Sequence, residues 1–391
     1  MLNTLYIEIE SAQETKHNQV ICGDAIFSCK IPNEQRIVSV LSDGLGSGVK
    51  ANVLASMTSR MAAKFIAGNM EILRSSEIIM EALPICQVRK ISYATFTIID
   101  CTAGGNTRVF EMDNPPMLFI RDGKSIPLPF EELSSPKWEK RKIRVYEFET
   151  KPEDRIIVFS DGISQAGLGN RAYPLGWRNE GCEKFVLNII NNDKNISARS
   201  LARMIIDEAK TKEIGEVAGD DMSCTVVYFR KPRKLLLLSG PPFDENKDSE
   251  IAETFNNYEG KKAICGGTSA NIIERELELK SRIDTSTIDK EIPAASIMER
   301  VDLVTEGILT LTKVAQILED EIWPKKKNAA VKLADLLLDS DIIEFMVGTR
   351  INNAHQDPNL PVDLEIRRNI IKRINKVLTE KYLKETTIKF I

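Results

Sequence analysis

Apolar and polar positions alternate with a period of two along much of the first 230 residues, and that period predicts strands. Alternating or apolar runs mark strands over residues 5–10 and 20–27 and, after a turn at Pro32-Asn33-Glu34, over 37–41. From Gly48 the spacing changes. Val49, Val53, Met57, Met61 and Phe65 recur every fourth residue with Leu54 beside them, which predicts one apolar face of a helix ended by Gly68. A second helix is predicted over 75–83 and stopped by Pro84. Strands return at 93–100, 107–112 and 117–121, where Asp122-Gly123 predicts a tight hairpin into 126–128. Strands at 144–148 and 156–159 come next. Two helices follow at 182–191 and 198–210, the second capped near Ile196-Ser197, and a strand over 225–229 closes the series.

Antiparallel strands with helices inserted in pairs form an α+β arrangement, a sandwich of two sheets with helices outside. The basic, proline-broken segment from Phe229 to Lys234 reads as a solvated linker and marks a domain boundary. Beyond it the pattern is different. Short apolar runs at 235–238, 262–265, 301–304 and 343–347 lead into Ser239-Gly240-Pro241-Pro242, Gly266-Gly267-Thr268-Ser269, Thr305-Glu306-Gly307 and Gly348-Thr349-Arg350. Helical patterns separate these runs, with long ones at 309–318 and 364–383, and a last strand is predicted over 386–391. The expected organisation is therefore a sandwich domain over residues 1–230 and a smaller, mostly parallel α/β domain over 235–391.

Composition narrows the functional classes. Hydrophobic residues at 42% and charged residues at 28% are ordinary for a soluble globular chain of 391 residues. A net charge of −4 speaks against a nucleic-acid partner, which needs a basic footprint. The seven cysteines are scattered, odd in number and without Cys-x-x-Cys spacing, as expected of reduced thiols in the cytoplasm. No apolar run approaches the roughly 20 residues that span a bilayer, and the start lacks a signal-peptide layout. A cytoplasmic protein with no membrane or nucleic-acid partner is expected.

The chemistry lies in aspartates at predicted strand ends. Asp43 follows the 37–41 run within Ser42-Asp43-Gly44-Leu45-Gly46-Ser47-Gly48, and Asp161 follows 156–159 within Ser160-Asp161-Gly162. Gly219-Asp220-Asp221 precedes the last strand of the series. As a dinucleotide loop the first stretch fails, because the G-x-G-x-x-G register from Gly44 meets Val49, and the stretch holds no Gly-Lys-Ser/Thr for a P-loop. As a site for hard cations the pieces agree, since Mg²⁺ and Mn²⁺ prefer carboxylate, carbonyl and water oxygens. Asp43 can bridge two ions beside the Gly44 carbonyl, and Asp161 and Asp220 can complete one shell. With Asp24, the four carboxylates balance two divalent cations. The competing reading, that Asp-Gly pairs are only turns, is accepted for Asp122-Gly123.

Taken in order, Gly23-Asp24, Ser42-Asp43-Gly44-Leu45-Gly46-Ser47-Gly48, Phe159-Ser160-Asp161-Gly162 and Gly219-Asp220-Asp221-Met222-Ser223 resemble the bacterial SpoIIE-type branch of the metal-dependent protein phosphatase 2C family. The resemblance covers about residues 1–230. It implies hydrolysis of phosphoserine or phosphothreonine in a phosphorylated protein substrate, such as a phosphorylated anti-sigma antagonist, with two Mn²⁺ or Mg²⁺ ions. Carried over by motif, Asp43 bridges both ions with the Gly44 carbonyl, Asp161 and Asp220 hold one ion, and Asp24 the other. Asp221 then orients the ligands from behind. Larger eukaryotic members place a phosphate-binding arginine ahead of the first acidic motif, where this chain has Lys16 and His17.

Two other readings stand beside the phosphatase: a catalytically silent scaffold that docks phosphoproteins, and a nucleotide or small-phosphate sensor acting through residues 235–391. Gly266-Gly267-Thr268-Ser269 between a strand and a helix is a candidate anion nest, with Thr305-Glu306-Gly307 and Gly348-Thr349-Arg350 beside it. Ordinary loop and capping chemistry is the competing reading there. The polar stretch from Arg350 to Pro358 has the character of a recognition loop. A regulatory partner or ligand is expected at this second domain.

Overall fold

A computed structural model describes residues 5–83, 94–137, 141–350 and 360–391. The chain divides into two compact units, Met1–Lys231 and Pro232–Ile391. The first unit runs β1 (Tyr6–Glu14), β2 (Ala25–Ile31), β3 (Arg36–Ser42), α1 (Gly48–Ala67), α2 (Ile72–Ala82), β4 (Phe96–Thr102), β5 (Asn106–Met112), β6 (Leu118–Arg121), β7 (Lys124–Ser125), β8 (Glu131–Ser134), β9 (Lys142–Glu149), β10 (Arg155–Phe159), α3 (Asp161–Ser164), α4 (Arg178–Asn192), α5 (Ala198–Lys212) and β11 (Met222–Arg230).

These strands form two sheets, β1-β11-β10-β6-β7 and β2-β3-β4-β5-β9-β8, with every pairing antiparallel. Side-chain alternation explains why they stack. Along β11, Met222, Cys224, Val226 and Tyr228 pack with α4 and α5, while Ser223, Thr225, Val227 and Phe229 are buried on the opposite face. Along β3, Val38 and Val40 pack under α1 and α2, while Ile37, Ser39 and Leu41 are buried on the other side. Strands covered on both faces need a layer on each side, so the two sheets form a sandwich with helices outside. The Asp122-Gly123 turn forms, with both residues at positive φ (52° and 70°) as a two-residue type I′ turn requires, but the return strand is Lys124–Ser125 and residues 126–128 are not strand.

Several expectations change. Residues 20–24 are not strand, and β2 begins only at Ala25, after a loop in which Val20 is fully exposed. The apolar stripe read on the first helix is its buried face only in part. Leu54 is buried and Met57, Met61 and Phe65 pack half-buried against the core, but Val49 and Val53 are 67% and 46% exposed, and Ala51, Ala55, Thr58, Ala62, Ala63 and Ile66, which the stripe did not include, are buried. Small residues let α1 lie close on β2 and β3, and that gain outweighs burial of the two valines. Arg230 is not solvated linker either. It is 3% exposed and pairs with buried Glu8, Nη2 to Oε2 2.7 Å, while Glu8 Oε1 accepts from Ala198 N at 3.0 Å. Pro84, Tyr93 and residues 351–358 lie outside the described residues.

The second unit runs β12 (Lys234–Ser239), α6 (Asp248–Asn256), β13 (Lys261–Cys265), α7 (Gly267–Glu276), β14 (Ser281–Ile283), β15 (Ser296–Met298), β16 (Val301–Thr305), α8 (Ile308–Asp320), α9 (Ala329–Leu338), β17 (Ile342–Val347), α10 (Leu360–Glu380) and β18 (Glu385–Phe390). Its sheet has the order β14-β15-β16-β13-β12-β17-β18, parallel from β16 to β18 with an antiparallel edge formed by β15 and β14. Leu235 and Leu237 face α8, α9 and α10, while Leu236 and Leu238 face α6 and α7. This is the expected α/β arrangement, with helices on both faces of a buried parallel sheet.

Candidate metal centre

Register places the acidic residues. Ala25 pairs with Ser42, so Asp24 and Asp43 leave the β2–β3 hairpin at the same end. Phe159 pairs with Cys224 and Ser160 N bonds to Ser223 O at 2.9 Å, so Asp161 and the Asp220-Asp221 loop leave the β10–β11 pair together. The structure brings these acids within electrostatic reach of one another. Burial, then the neighbouring charges of Asp24 and Asp161, pushes the Asp43 carboxyl up to about 9. Burial pushes Asp24 up to about 7, against the hydroxyls of Ser223 and Ser160, which favour its charged form. Asp161 is raised by burial and by Asp220. Burial costs a carboxylate its hydration, and like charges add to that cost, so protons are retained where no cation compensates.

Glycines let these loops close on each other. A Cβ on Gly44 would stand 2.0 Å from the Ala51 carbonyl of α1, and one on Gly162 would stand 2.1 Å from the Asp221 carbonyl. Gly46 and Gly48 take positive φ (103° and 69°) and turn the chain into α1. The two acids of the last loop differ in setting. The Asp220 side chain is half exposed and meets the Lys16 ammonium at 3.3 Å. Asp221 is buried, accepts from Lys16 N at 2.9 Å through Oδ1, and turns Oδ2 toward Gly23. His17 joins the same loop through its backbone, N to Ala218 O 2.9 Å.

The donor set suits hard divalent cations. It is entirely oxygen, and two of its buried oxygens, Asp24 Oδ2 and Asp221 Oδ2, have no hydrogen-bond partner. Among the described residues no three acidic, histidine or cysteine side chains already converge as a ligand cluster. Lys16, not a metal, supplies the positive charge beside Asp220. Mg²⁺ in any case keeps several waters and needs only one or two carboxylates.

The supporting shell was not foreseen. Thr95 holds Asp43 from both sides: Thr95 N donates to Asp43 O at 3.0 Å, and Asp43 N donates to Thr95 Oγ1 at 3.3 Å. Thr95 Oγ1 in turn donates to Asn114, which bonds Thr97 Oγ1 at 3.1 Å. Gln165 Nε2 donates to Asp161 Oδ2 at 2.9 Å. One signal was present, the serine before each Asp-Gly: Ser42 Oγ donates to Thr95 O at 2.7 Å, and Ser160 Oγ accepts from Ser223 N at 3.0 Å.

A two-layer antiparallel sandwich with acids gathered at one end defines a class of α+β domain whose chemistry sits on strand-end loops. Residues 33–230, just over half of the chain, match the family model described as Stage II sporulation protein E (SpoIIE), and the chain belongs to that family. Solved structures similar to it include the phosphatase domain of the cell fate determinant SpoIIE from Bacillus subtilis, at 16% identity and TM-score 0.45, covering 58% of this chain and 93% of that one. The RsbU and RsbW domains of a Mycobacterium tuberculosis protein match at 15% identity and TM-score 0.47, covering 64% and 70%. RsbX in complex with magnesium matches at 16% identity and TM-score 0.39, covering 58% and 96%. No curated protein sequence matches the chain.

Proposed function

We propose that the first unit is a metal-dependent phosphatase that hydrolyses phosphoserine or phosphothreonine in a protein substrate. The observation that carries the reading is the gathering of Asp24, Asp43, Asp161 and Asp220-Asp221 at one end of the sandwich, with two buried carboxylate oxygens unpartnered, in a chain of the SpoIIE family. Asp43, with the Gly44 carbonyl, would bridge two Mn²⁺ or Mg²⁺ ions. Asp161 and Asp220 would hold one of them, Asp24 the other, and Asp221 would orient the set. When bound, the two ions supply Lewis acidity, which makes water nucleophilic near neutral pH and neutralises charge on the phosphoryl oxygens.

The chain's own residues do the positioning. Thr95 and Asn114 fix the backbone of Asp43, and Gln165 steadies Asp161. Lys16 supplies a cation at the rim that exchanges Asp220 for an incoming anion. Residues 1–230 carry catalysis in this reading, and 235–391 carry regulation or partner binding. The fold has no helix, among the described residues, long and apolar enough to cross a membrane. Together with free thiols at all six described cysteines, that supports the cytoplasm as the compartment.

The test is phosphate release from a phosphopeptide with Mn²⁺, with chelator, and for Asp43→Asn, alongside Mn²⁺ titration calorimetry. Turnover should need Mn²⁺ and vanish in the variant, with weakened Mn²⁺ binding. Hydrolysis that resists chelation, or an Asp43→Asn protein as active as its parent, would sink the two-metal reading. Tight Mn²⁺ binding without turnover of any phosphopeptide would favour the docking scaffold.

A further inference from the structure

The carboxyl edge of the parallel sheet in the second unit gathers features that a phosphatase reading does not use. β12, β13, β16 and β17 all end there, in loops carrying Gly240, Gly266, Gly307 and Gly348. These glycines lie against one another. A Cβ on Gly266 would come 3.9 Å from Gly240 N, one on Gly307 3.6 Å from Gly266 Cα, and one on Gly348 2.3 Å from the Gly240 carbonyl oxygen. From β12 the chain builds outward on one side through β13 and β16, then returns to the other side as β17. Such a reversal of strand order is where open α/β sheets collect ligands.

Two helices start at this edge, α7 after Gly266 and α8 after Gly307, and neither has a side-chain cap. The capping reading therefore loses its usual agent. The first N–H groups of a helix have no acceptor within it, and an anion satisfies them. The third residue of each helix is a fully buried hydroxyl, Ser269 and Thr310, and neither side-chain oxygen has a hydrogen-bond partner. Ser239, the last residue of β12, is buried and unpartnered in the same way. Ser269 Oγ lies 3.8 Å from the position of a Cβ on Gly266, so it faces the glycine cluster. Buried hydroxyls are normally paired, and three unpaired ones at a single edge point to a ligand that completes them.

Charge sets the ligand class. The Arg367 guanidinium reaches over Gly240, with Nη1 2.6 Å from where a Cβ would stand, and its charge acts on the Cys265 thiol at the end of β13. Two helix N-termini, with the positive charge of Arg367 adding to the field beside them, favour an oxyanion. Glu306 also acts on Cys265, and its Oε2 is buried without a partner, so it calls for a donor such as a hydroxyl. We propose that this edge binds a small phosphate-bearing molecule that also carries a hydroxyl group. The phosphate sits on the start of α7 at Gly267 and Ser269, Arg367 neutralises it, and Glu306 accepts from the hydroxyl. Nucleotides and sugar phosphates share this chemistry.

The experiment is titration calorimetry on the full chain with chelator and in an Asp43→Asn background, so that no cation held by the first unit's acids can bind phosphate. The probes are inorganic phosphate, ADP and ribose 5-phosphate. A Cβ on Gly267 meets nothing within 4 Å, so Gly267→Ala leaves the fold intact while intruding on the space assigned to the phosphate. Ser269→Ala removes the unpaired hydroxyl. Each variant should bind the preferred ester about tenfold more weakly or worse, with an unchanged melting temperature in the absence of ligand. Preference for ADP identifies a nucleotide, and preference for ribose 5-phosphate a sugar phosphate. Failure of all three probes to bind, or parental affinity in both variants, overturns the site. Inorganic phosphate binding as tightly as both esters overturns the role given to Glu306.

Discussion

Gly162→Ala would drive one methyl group into the loop that carries Asp220 and Asp221. The new Cβ would stand 2.1 Å from the Asp221 carbonyl oxygen and 3.0 Å from its carbonyl carbon, where ordinary contact begins at 3.4 Å. Both atoms are backbone, so neither swings aside as a flexible side-chain tip would. The pairing of Ser160 N with Ser223 O and of Ser223 N with Ser160 Oγ ties the two strands just below and resists a simple separation. Overpacking of this kind costs about 1–3 kcal/mol. For a unit of this size the melting temperature should fall by roughly 2–12 °C. The loop would move by about 1 Å relative to Asp161, and disturbing the groups that orient a metal's ligands costs roughly 10–100-fold in metal affinity. Calorimetric melting gives the stability loss, and Mn²⁺ titration well below the melting temperature gives the affinity, which should drop far more than stability alone explains. A Gly162→Ala protein that melts lower yet binds Mn²⁺ as its parent does would refute the claim that Asp161 and the Asp220-Asp221 loop act on one ion.

Arg230→Met should cost about 3–5 kcal/mol in denaturant titration by leaving Glu8 charged and buried, and Glu8→Leu with Arg230→Met should recover most of it; parental stability of the single variant would return the segment to solvated linker. Val49→Ser and Val53→Ser should each change stability by less than about 0.5 kcal/mol, because both side chains already face solvent; a loss of several times that would put the two valines in the core. In chelator, Asp43 and Asp24 keep protons that the unfolded chain has released above its carboxylate pKa of 3.8. Their contribution is thus fully present below about pH 4 and is lost as pH rises through about 7 and 9. Melting temperature in chelator should therefore fall between pH 5 and 9 while saturating Mn²⁺ flattens the trend, and a rise over that range in chelator would contradict the assignment.

What the residue pattern disclosed was periodic or punctuated. Strand runs such as 37–41 and 156–159 were legible because β-branched residues fill strands covered on both faces, and Asp43 and Asp161 were legible because each sits beside a glycine at such a run's end. The helix stripe misled at Val49 and Val53 because a period of four locates a helix face without saying where along it the cover ends. In α1 the close approach of Ala51, Ala55 and Ala62 to the sheet decides, and alanines carry little weight in a hydrophobic pattern. Arg230 misled for a related reason: charge in a proline-broken run reads as solvent-facing unless its partner is known, and Glu8 lies at the other end of the unit's sequence. Thr95 and Asn114 were invisible because hydrogen-bond networks depend on long-range register, which no local spacing records.

That same register bears on how the protein is made. β1 and β11 are neighbours in the finished sheet, with Ser11 bonded to Thr225 across 214 residues of sequence. At ordinary synthesis rates of about 5–20 residues per second, the first strand waits roughly 10 to 40 s for its partner. Its edge and the apolar face beneath it are open during that time. Asp24 and Asp43 emerge early, but Asp220 and Asp221 arrive with the last strand of the unit, so the acids meet only as the sheet closes. The charge cluster therefore cannot be complete until the last strand of the unit is in place, and any cation that binds the complete cluster stabilises the closed sheet by mass action.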